Sequence, residues 1–207
     1  MSFILTLTGR TCAGKSTLEK ALRNVGFEPI VSSTTRPPRK GESEGLSYKF
    51  INYVEFHELV SARLMVEHVS FGGHQYGITK AEMDRAIATG KPVVIVLEPQ
   101  GLVQIKEYAI EAHWNVFSVF VDNPDEVIIS RFLARFISAY ENDTNLVGLI
   151  SVYAKRMAGI MSVEAGWRVW AYCEHSLYDL LLERFDESNM ASVVRRLAEM
   201  SETECVT

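Results

Sequence analysis

The chain has 207 residues and a net charge of −5. That is enough length for one well-cored domain with a small inserted lobe, and its acidic balance excludes broad sequence-independent nucleic-acid binding, which needs a cationic footprint. Its 47 % hydrophobic and 23 % charged content is that of an ordinary globular protein, and the three scattered cysteines, Cys12, Cys173 and Cys205, exclude a disulfide framework and show no metal-ligand spacing.

No apolar run is expected to reach the ~20 residues of a membrane span, and no leader is expected before the first strand. The expectation is therefore a cytoplasmic protein without membrane or nucleic-acid partners, with self-association left open.

Residues 3–8 read as a strand. They lead into Gly9-Arg10-Thr11-Cys12-Ala13-Gly14-Lys15-Ser16, a complete G-x-x-x-x-G-K-[ST] loop. Residues 16–24 follow as a helix, with Leu18, Ala21, Leu22 and Val25 at helical spacing before Gly26. A strand, a glycine-bounded loop and a helix N-terminus turn backbone N–H groups and a positive dipole end toward a polyphosphate. Lys15 would reach the outer phosphates and the Ser16 hydroxyl would hold Mg²⁺. Cys12 is read as filling a tolerant position.

A short strand at 29–31 precedes a segment that breaks the βα rhythm. From Ser32 to Gln75 the chain is polar and turn-rich, with β-like pieces at 48–51 and 65–71 and a tight turn at Gly72-Gly73. A small β-rich lobe inserted at 32–79 fits this pattern. Arg36 and Arg39 stand three apart on a segment stiffened by Pro37 and Pro38, and two forked cations suit a phosphate monoester. A solvated basic loop is the alternative.

Beyond the lobe, a helix at 80–89, strands at 93–97 and 117–121, a helix at 124–136, a weaker strand at 177–182 and a helix at 189–200 restore the alternation. The fold class is α/β: a three-layer α/β/α core with a central parallel sheet, built from 1–31, 80–130 and 157–207. The stretch 131–156, with its polar tip at 141–145, reads either as a mobile helical lid or as an ordinary helix–loop–helix hairpin. Residues after Met200 are expected to fray.

The phosphate loop, the block Ser32-Ser33-Thr34-Thr35-Arg36-x-Pro38-Arg39-x-Gly41-Glu42, the Gly45-x-x-Tyr48-x-Phe50 continuation, Glu67 and Tyr76-Gly77 together resemble the guanylate kinase family. The resemblance implies ATP as phosphoryl donor on Gly9, Cys12, Ala13, Gly14, Lys15, Ser16 and Thr17, with Mg²⁺, and a nucleoside monophosphate (NMP) as acceptor. It further implies that Arg36, Arg39, Tyr48 and Tyr76 grip the acceptor phosphate, and that Glu67 and Ser32 read the base. Guanine offers N1–H and N2–H₂ side by side, a donor pair for one carboxylate that adenine lacks. By the same resemblance Arg131, Arg135 and Arg156 would be lid arginines; from spacing alone they are surface charges, as Glu67 alone is an exposed strand carboxylate.

Four departures stand out. Arg10-Thr11-Cys12 replaces the family's Pro-Ser-Gly, adding a charge near the phosphates and removing backbone freedom. Val96 replaces an acid, leaving Glu98 to orient Mg²⁺ waters or contact substrate. Ile78 replaces a hydroxyl residue, with Thr79 next door. The lid is longer, and Arg184 replaces an Asn. Transfer from MgATP to GMP or dGMP is the expectation. A broader (deoxy)nucleoside monophosphate kinase and a non-catalytic phosphopeptide-binding module are the alternatives.

Overall fold

The structure, a computed structural model, describes residues 2–39, 41–141, 145–173 and 177–204. It begins with β1 (Phe3–Thr8), buried along its whole length. That is the signature of a strand covered on both faces. Phe3, Leu5 and Leu7 face one helical layer, and Ile4 faces the other, as the two-residue period of a strand requires. In chain order there follow α1 (Lys15–Asn24), β2 (Glu28–Pro29), β3 (Ser33–Thr34), β4 (Lys49–Phe50), α2 (Tyr53–Ser61), β5 (Met65–Phe71), β6 (His74–Thr79), α3 (Lys80–Ile87) and β7 (Val93–Val96). The chain continues with α4 (Pro99–Ala112), β8 (Asn115–Asp122), α5 (Asp125–Tyr140), α6 (Leu146–Met161), α7 (Val163–Cys173), β9 (Leu180–Glu183) and α8 (Glu187–Glu204).

The central sheet has the order β2-β7-β1-β8-β9, and every pairing in it is parallel. Its two faces carry separate apolar clusters. On one, Leu18 and Leu22 of α1 meet Ile128 and Phe132 of α5 and Leu197 of α8; on the other, Met83 and Ala86 of α3 meet Leu102 and Ile105 of α4. The core is thus the expected parallel α/β/α sandwich. Helix α4 was not anticipated. Its Pro99 at the first turn fits a helix start, but Gly101 within that turn masks the apolar stripe.

Gly9 leaves β1 at φ 135°, and a Cβ there would lie 2.2 Å from the Val121 carbonyl oxygen of β8. Neither the conformation nor the space admits a side chain. Gly9→Ala is expected to cost at least about 3 kcal/mol, seen in thermal unfolding as a Tm lowered by about 6–12 °C.

The lobe between β2 and α3 holds a second sheet of order β4-β3-β6-β5, with β5 and β6 antiparallel across the Gly72-Gly73 turn. Both glycines have positive φ, the twist a two-residue hairpin needs. The β5–β6 register slips between Met65 and Glu67. Such a bulge re-aims the side chains that follow, and here it turns Glu67 and Val69 inward while His68 and Ser70 face out. Gln104 of α4 ties this lobe to the core: its side chain accepts from His68 N–H and donates to His68 C=O on the free edge of β5.

Of residues 131–156, those up to Tyr140 lie in α5 and those from Leu146 onward in α6, and the tip at 142–144 lies outside the described residues. The described chain stays helical to Glu204, past the expected fraying point. One expectation is corrected: Leu146–Cys173 spans 28 residues as α6 and α7, interrupted at Ser162, and its most apolar window has a mean hydropathy of 1.4, little of it buried. By length and composition such a segment could cross a membrane. Yet α7 holds Glu164, buried against the phosphate loop, and Arg168, ion-paired to Asp122, which fixes this half of the segment to the core.

Candidate active site

A cleft of about 460 Å³ opens between the phosphate loop and the inserted lobe. One wall presents Gly9, Cys12, Gly14, Lys15, Ser16 and Thr17; the other presents Ser32, Arg39, Tyr48, Glu67 and Tyr76. Glu98 lies on the floor, and Arg131, Arg135 and Arg156 close the side. Of the residues expected from sequence, Ala13 and Arg36 stand behind the cleft surface, both buried. The phosphate loop and Glu98 follow the carboxyl ends of β1 and β7, where open α/β sheets place ligands, and the lobe and the α5–α6 arginines reach the cleft from outside the central sheet.

The loop is pinned from several directions. Lys15 Nζ donates to the carbonyls of Gly9 and Arg10, at 2.6 and 2.9 Å. Desolvation pulls the Lys15 ammonium below its ordinary value, and the charges of Glu164 and Glu98 draw it part of the way back. Asn123 at the end of β8 donates to the carbonyls of Ala13 and Phe185. Arg131 donates to the carbonyls of Cys12, Ala13 and Phe185, so in this state it braces the loop from α5 rather than riding on a detached lid. Arg135 and Arg156 face the cleft beside it.

Two loop expectations are corrected. Arg10 does not add charge at the phosphates. Its guanidinium is buried and turned away, donating to Asp125 and to the Asn123 carbonyl at 2.7 Å each, with Asp122 at 3.6 Å. Nor is Cys12 a tolerant filler: its φ is 64°, the left-handed region that residues other than glycine resist.

In the lobe, Arg36 is spoken for. Both terminal nitrogens donate to the two carboxylate oxygens of Glu42 at 2.9 Å, and Nη1 also donates to the Pro37 carbonyl. Burial opposes ionisation of Glu42, but the Arg36 guanidinium together with the Arg39 N–H and charge more than offsets it and holds the carboxyl below its usual range. The expected pair of open forks is therefore one fork, Arg39, in front of one locked cation. The Arg36 guanidinium carbon sits 5.3 Å from the centre of the Tyr48 ring, and Tyr48 packs edge-on to Tyr76 at 6.1 Å. Arg39 makes no ion pair among the described residues. Partial desolvation, then the charges of Arg156 and Arg36, holds its guanidinium below the ordinary value. A cluster of like charges in that condition is a site for a dianion.

Glu67 is 3 % exposed and its Oε2 has no partner among the described residues. Burial, and next the charge of Glu98, pushes its carboxyl up to about 8. Glu98 is itself raised to about 8 by burial, opposed by Lys15 and reinforced by Glu164. Gly101 makes room for Glu67: a Cβ on it would lie 2.8 Å from Oε2. Ile78 is fully buried, and the Thr79 hydroxyl is committed to capping α3 at Glu82 N–H, so neither reaches a base. Val96 lines the cleft without a polar group.

These two acids predict a pH dependence. Between about 4.5, the ordinary carboxyl value, and about 8, the folded chain binds more protons than the unfolded one. Its stability must therefore fall as pH rises through that window. Thermal unfolding of the unliganded protein from pH 5 to 8.5 should show this decline, and Glu67→Gln should flatten it.

Sequence reasoning missed Glu42 as the Arg36 lock, and it missed Glu164 and Trp167 altogether. Glu164 accepts from the N–H and the hydroxyl of Thr11, and Trp167 packs on Phe71 of β5 at 5.4 Å between ring centres. Only the Glu42 carboxylate had a local signal, six residues after its partner on a proline-stiffened turn.

The family model described as guanylate kinase matches residues 2–145. Among curated relatives, the guanylate kinase of Gloeobacter violaceus is 34 % identical over 144 residues, 68 % of each chain. That of Streptomyces kasugaensis is 37 % identical over 142 residues, 67 % of each chain. One from Thermus thermophilus is 36 % identical over 110 residues, covering 53 % of this chain and 50 % of its own, so the match spans only half of that relative. A crystal structure of guanylate kinase from Anaplasma phagocytophilum aligns over all of this chain and 87 % of its own, with a TM-score of 0.65 at 24 % identity. At that identity the likeness is one of fold.

Proposed function

Because the chain belongs to the guanylate kinase family, we propose that it transfers the γ-phosphoryl group of ATP to GMP or dGMP, forming ADP and the corresponding diphosphate. The observation that carries this reading is the pairing, across one cleft, of a braced phosphate loop with a lobe that offers an arginine without an ion pair and a buried carboxyl oxygen without a partner among the described residues.

Phosphoryl transfer asks the protein chiefly to position two anions and neutralise charge. Lys15 and the loop amides hold the donor. Arg39, with the hydroxyls of Tyr48 and Tyr76, holds the acceptor phosphate, and Arg36 adds field from behind while its Glu42 partner keeps it still. Glu67, once ionised, accepts the paired N–H donors of guanine. Arg135 and Arg156 add positive charge along the transfer line, and Arg131 couples that side to the loop. The domain division follows: core, acceptor lobe at 32–79, and a lid at 131–156 formed by the ends of α5 and α6.

Among the described residues no cluster of three acidic, His or Cys side chains could hold a metal by itself. That suits an ion carried mainly by phosphate oxygens and water, with the Ser16 hydroxyl as its protein ligand and Glu98 across the cleft. Mg²⁺ so held would neutralise the β- and γ-phosphate oxygens. A cytoplasmic setting accompanies the reading, and the free thiols of Cys12 and Cys173 accord with it.

A second reading has its own observation. With Ile78 and Thr79 unable to contact a base, recognition rests on Glu67, Ser32 and Glu98, which loosens discrimination toward a wider set of (deoxy)nucleoside monophosphates. A coupled ADP-release assay across the common ribo- and deoxyribonucleoside monophosphates tests both. Turnover should be greatest with GMP or dGMP; comparable rates with several bases would favour the broader kinase. ATP consumption indifferent to every monophosphate would overturn both. Calorimetry with ATP separates the phosphopeptide module, which would show no heat.

A further inference from the structure

Three positions of the phosphate loop adopt positive φ: Gly9 at 135°, Cys12 at 64° and Gly14 at 107°. The two glycines do so freely. Cys12 carries a Cβ, and a strained residue persists only where its surroundings over-determine it. The residue just before it, Thr11, is held at two points by one carboxylate: Glu164 Oε2 accepts from Thr11 N–H, and Oε1 accepts from the Thr11 hydroxyl at 2.9 Å. Glu164 is 2 % exposed, and it belongs to α7, beyond the segment that the family model matches.

The helix that delivers it is itself anchored. Arg168, one turn later, donates through Nε to Asp122 at 2.9 Å and approaches Asp125 at 3.9 Å. Those same two carboxylates receive Arg10 from the loop. Tyr172, a further turn on, donates its hydroxyl proton to Glu183 at 2.6 Å, with Asp122 3.2 Å away. Arg10 and Thr11, the two residues that open the loop, are thus gripped from α7, Arg10 through shared acids and Thr11 directly.

We propose that Glu164 is a positioning residue for the donor site: by clamping Thr11 at its amide and hydroxyl, it holds Cys12 in the left-handed conformation that shapes the loop for ATP. The proposal rests on the reading of this loop as the ATP site. It makes α7 part of the donor machinery, although no atom of Glu164 need touch the nucleotide. The rival role for a carboxylate at a phosphate loop is that of an internal anion that excludes the triphosphate. The two roles differ in sign.

The test is a double-mutant cycle read in steady-state kinetics. Glu164→Ala should raise the KM for ATP about tenfold while the KM for GMP stays within about twofold, and Glu164→Gln, which keeps one acceptor, should fall between. In a Cys12→Gly background, where the left-handed conformation is free of strain, the same Glu164→Ala change should raise the KM for ATP by less than about threefold. General damage to the fold would move both KM values and would not be cured by glycine at position 12. An ATP KM unchanged or lowered by Glu164→Ala overturns the proposal, the latter in favour of the excluding anion. Equal effects of Glu164→Ala in the two backgrounds overturn it as well. Should Glu164→Ala not fold, Glu164→Gln alone, measured by ATP calorimetry in both backgrounds, decides on the same criterion of unequal effects. Failure of the native protein to bind ATP would instead remove the reading of the loop on which this rests.

Discussion

Lys15→Ala is expected to reduce GMP-dependent ADP release by about 10³-fold, with the protein still folded. The ammonium is desolvated within the loop, it donates to two loop carbonyls, and it faces Glu98 and Glu164. A preorganised charge in such a place stabilises transferring phosphoryl oxygens far more than one in water. Two of its three N–H donors go to these carbonyls and the third is left for a phosphate, so binding one need not break them. A coupled assay checks the rate, and thermal unfolding checks the fold. Retention of more than a tenth of the activity would show that the loop amides alone suffice.

Glu67→Gln is expected to lower kcat/KM for GMP by roughly 10²–10⁴-fold, while the KM for ATP changes less than about twofold. The carboxylate can face two N–H donors with two acceptors. An amide has one acceptor, and its own NH₂ meets the second guanine donor head on. The side chain is buried and its Oε2 lacks any partner among the described residues, so nothing else offsets the mismatch. Measuring GMP, dGMP and AMP in parallel decides it: an unaltered ratio between bases would remove Glu67 from recognition.

Much of this was legible in the chain. The bounds of β1 and β5 match expectation to the residue, because continuous burial and turn glycines mark their ends. The phosphate loop declared itself by spacing, and the lobe by its break in rhythm. What could not be read were relations between distant side chains. Arg10 looked like a charge for phosphates because its acids, Asp122 and Asp125, lie more than a hundred residues away. Cys12 looked tolerant because backbone conformation is invisible where the usual glycine signal is missing. The α5–α6 segment left two readings open because α6 is exposed on most sides: Val147, Ile150 and Val152 all face outward, which blurs the amphipathic period. The bulge at Met65–Glu67 leaves no mark in composition, yet it decides that Glu67 points inward.

The position of β1 has a consequence for biosynthesis. The strand that leads into the phosphate loop lies in the middle of the sheet, between β7 and β8, and its Leu5 pairs with Val94 and Phe117. A ribosome therefore releases β1 long before either flanking partner exists. At the usual pace of about 5–20 residues per second, the nascent strand waits several seconds with its apolar length unpaired. Such distant pairings make folding slow, and the strand that carries the nucleotide cradle is placed only once β7 and β8, made well after it, can pair with it.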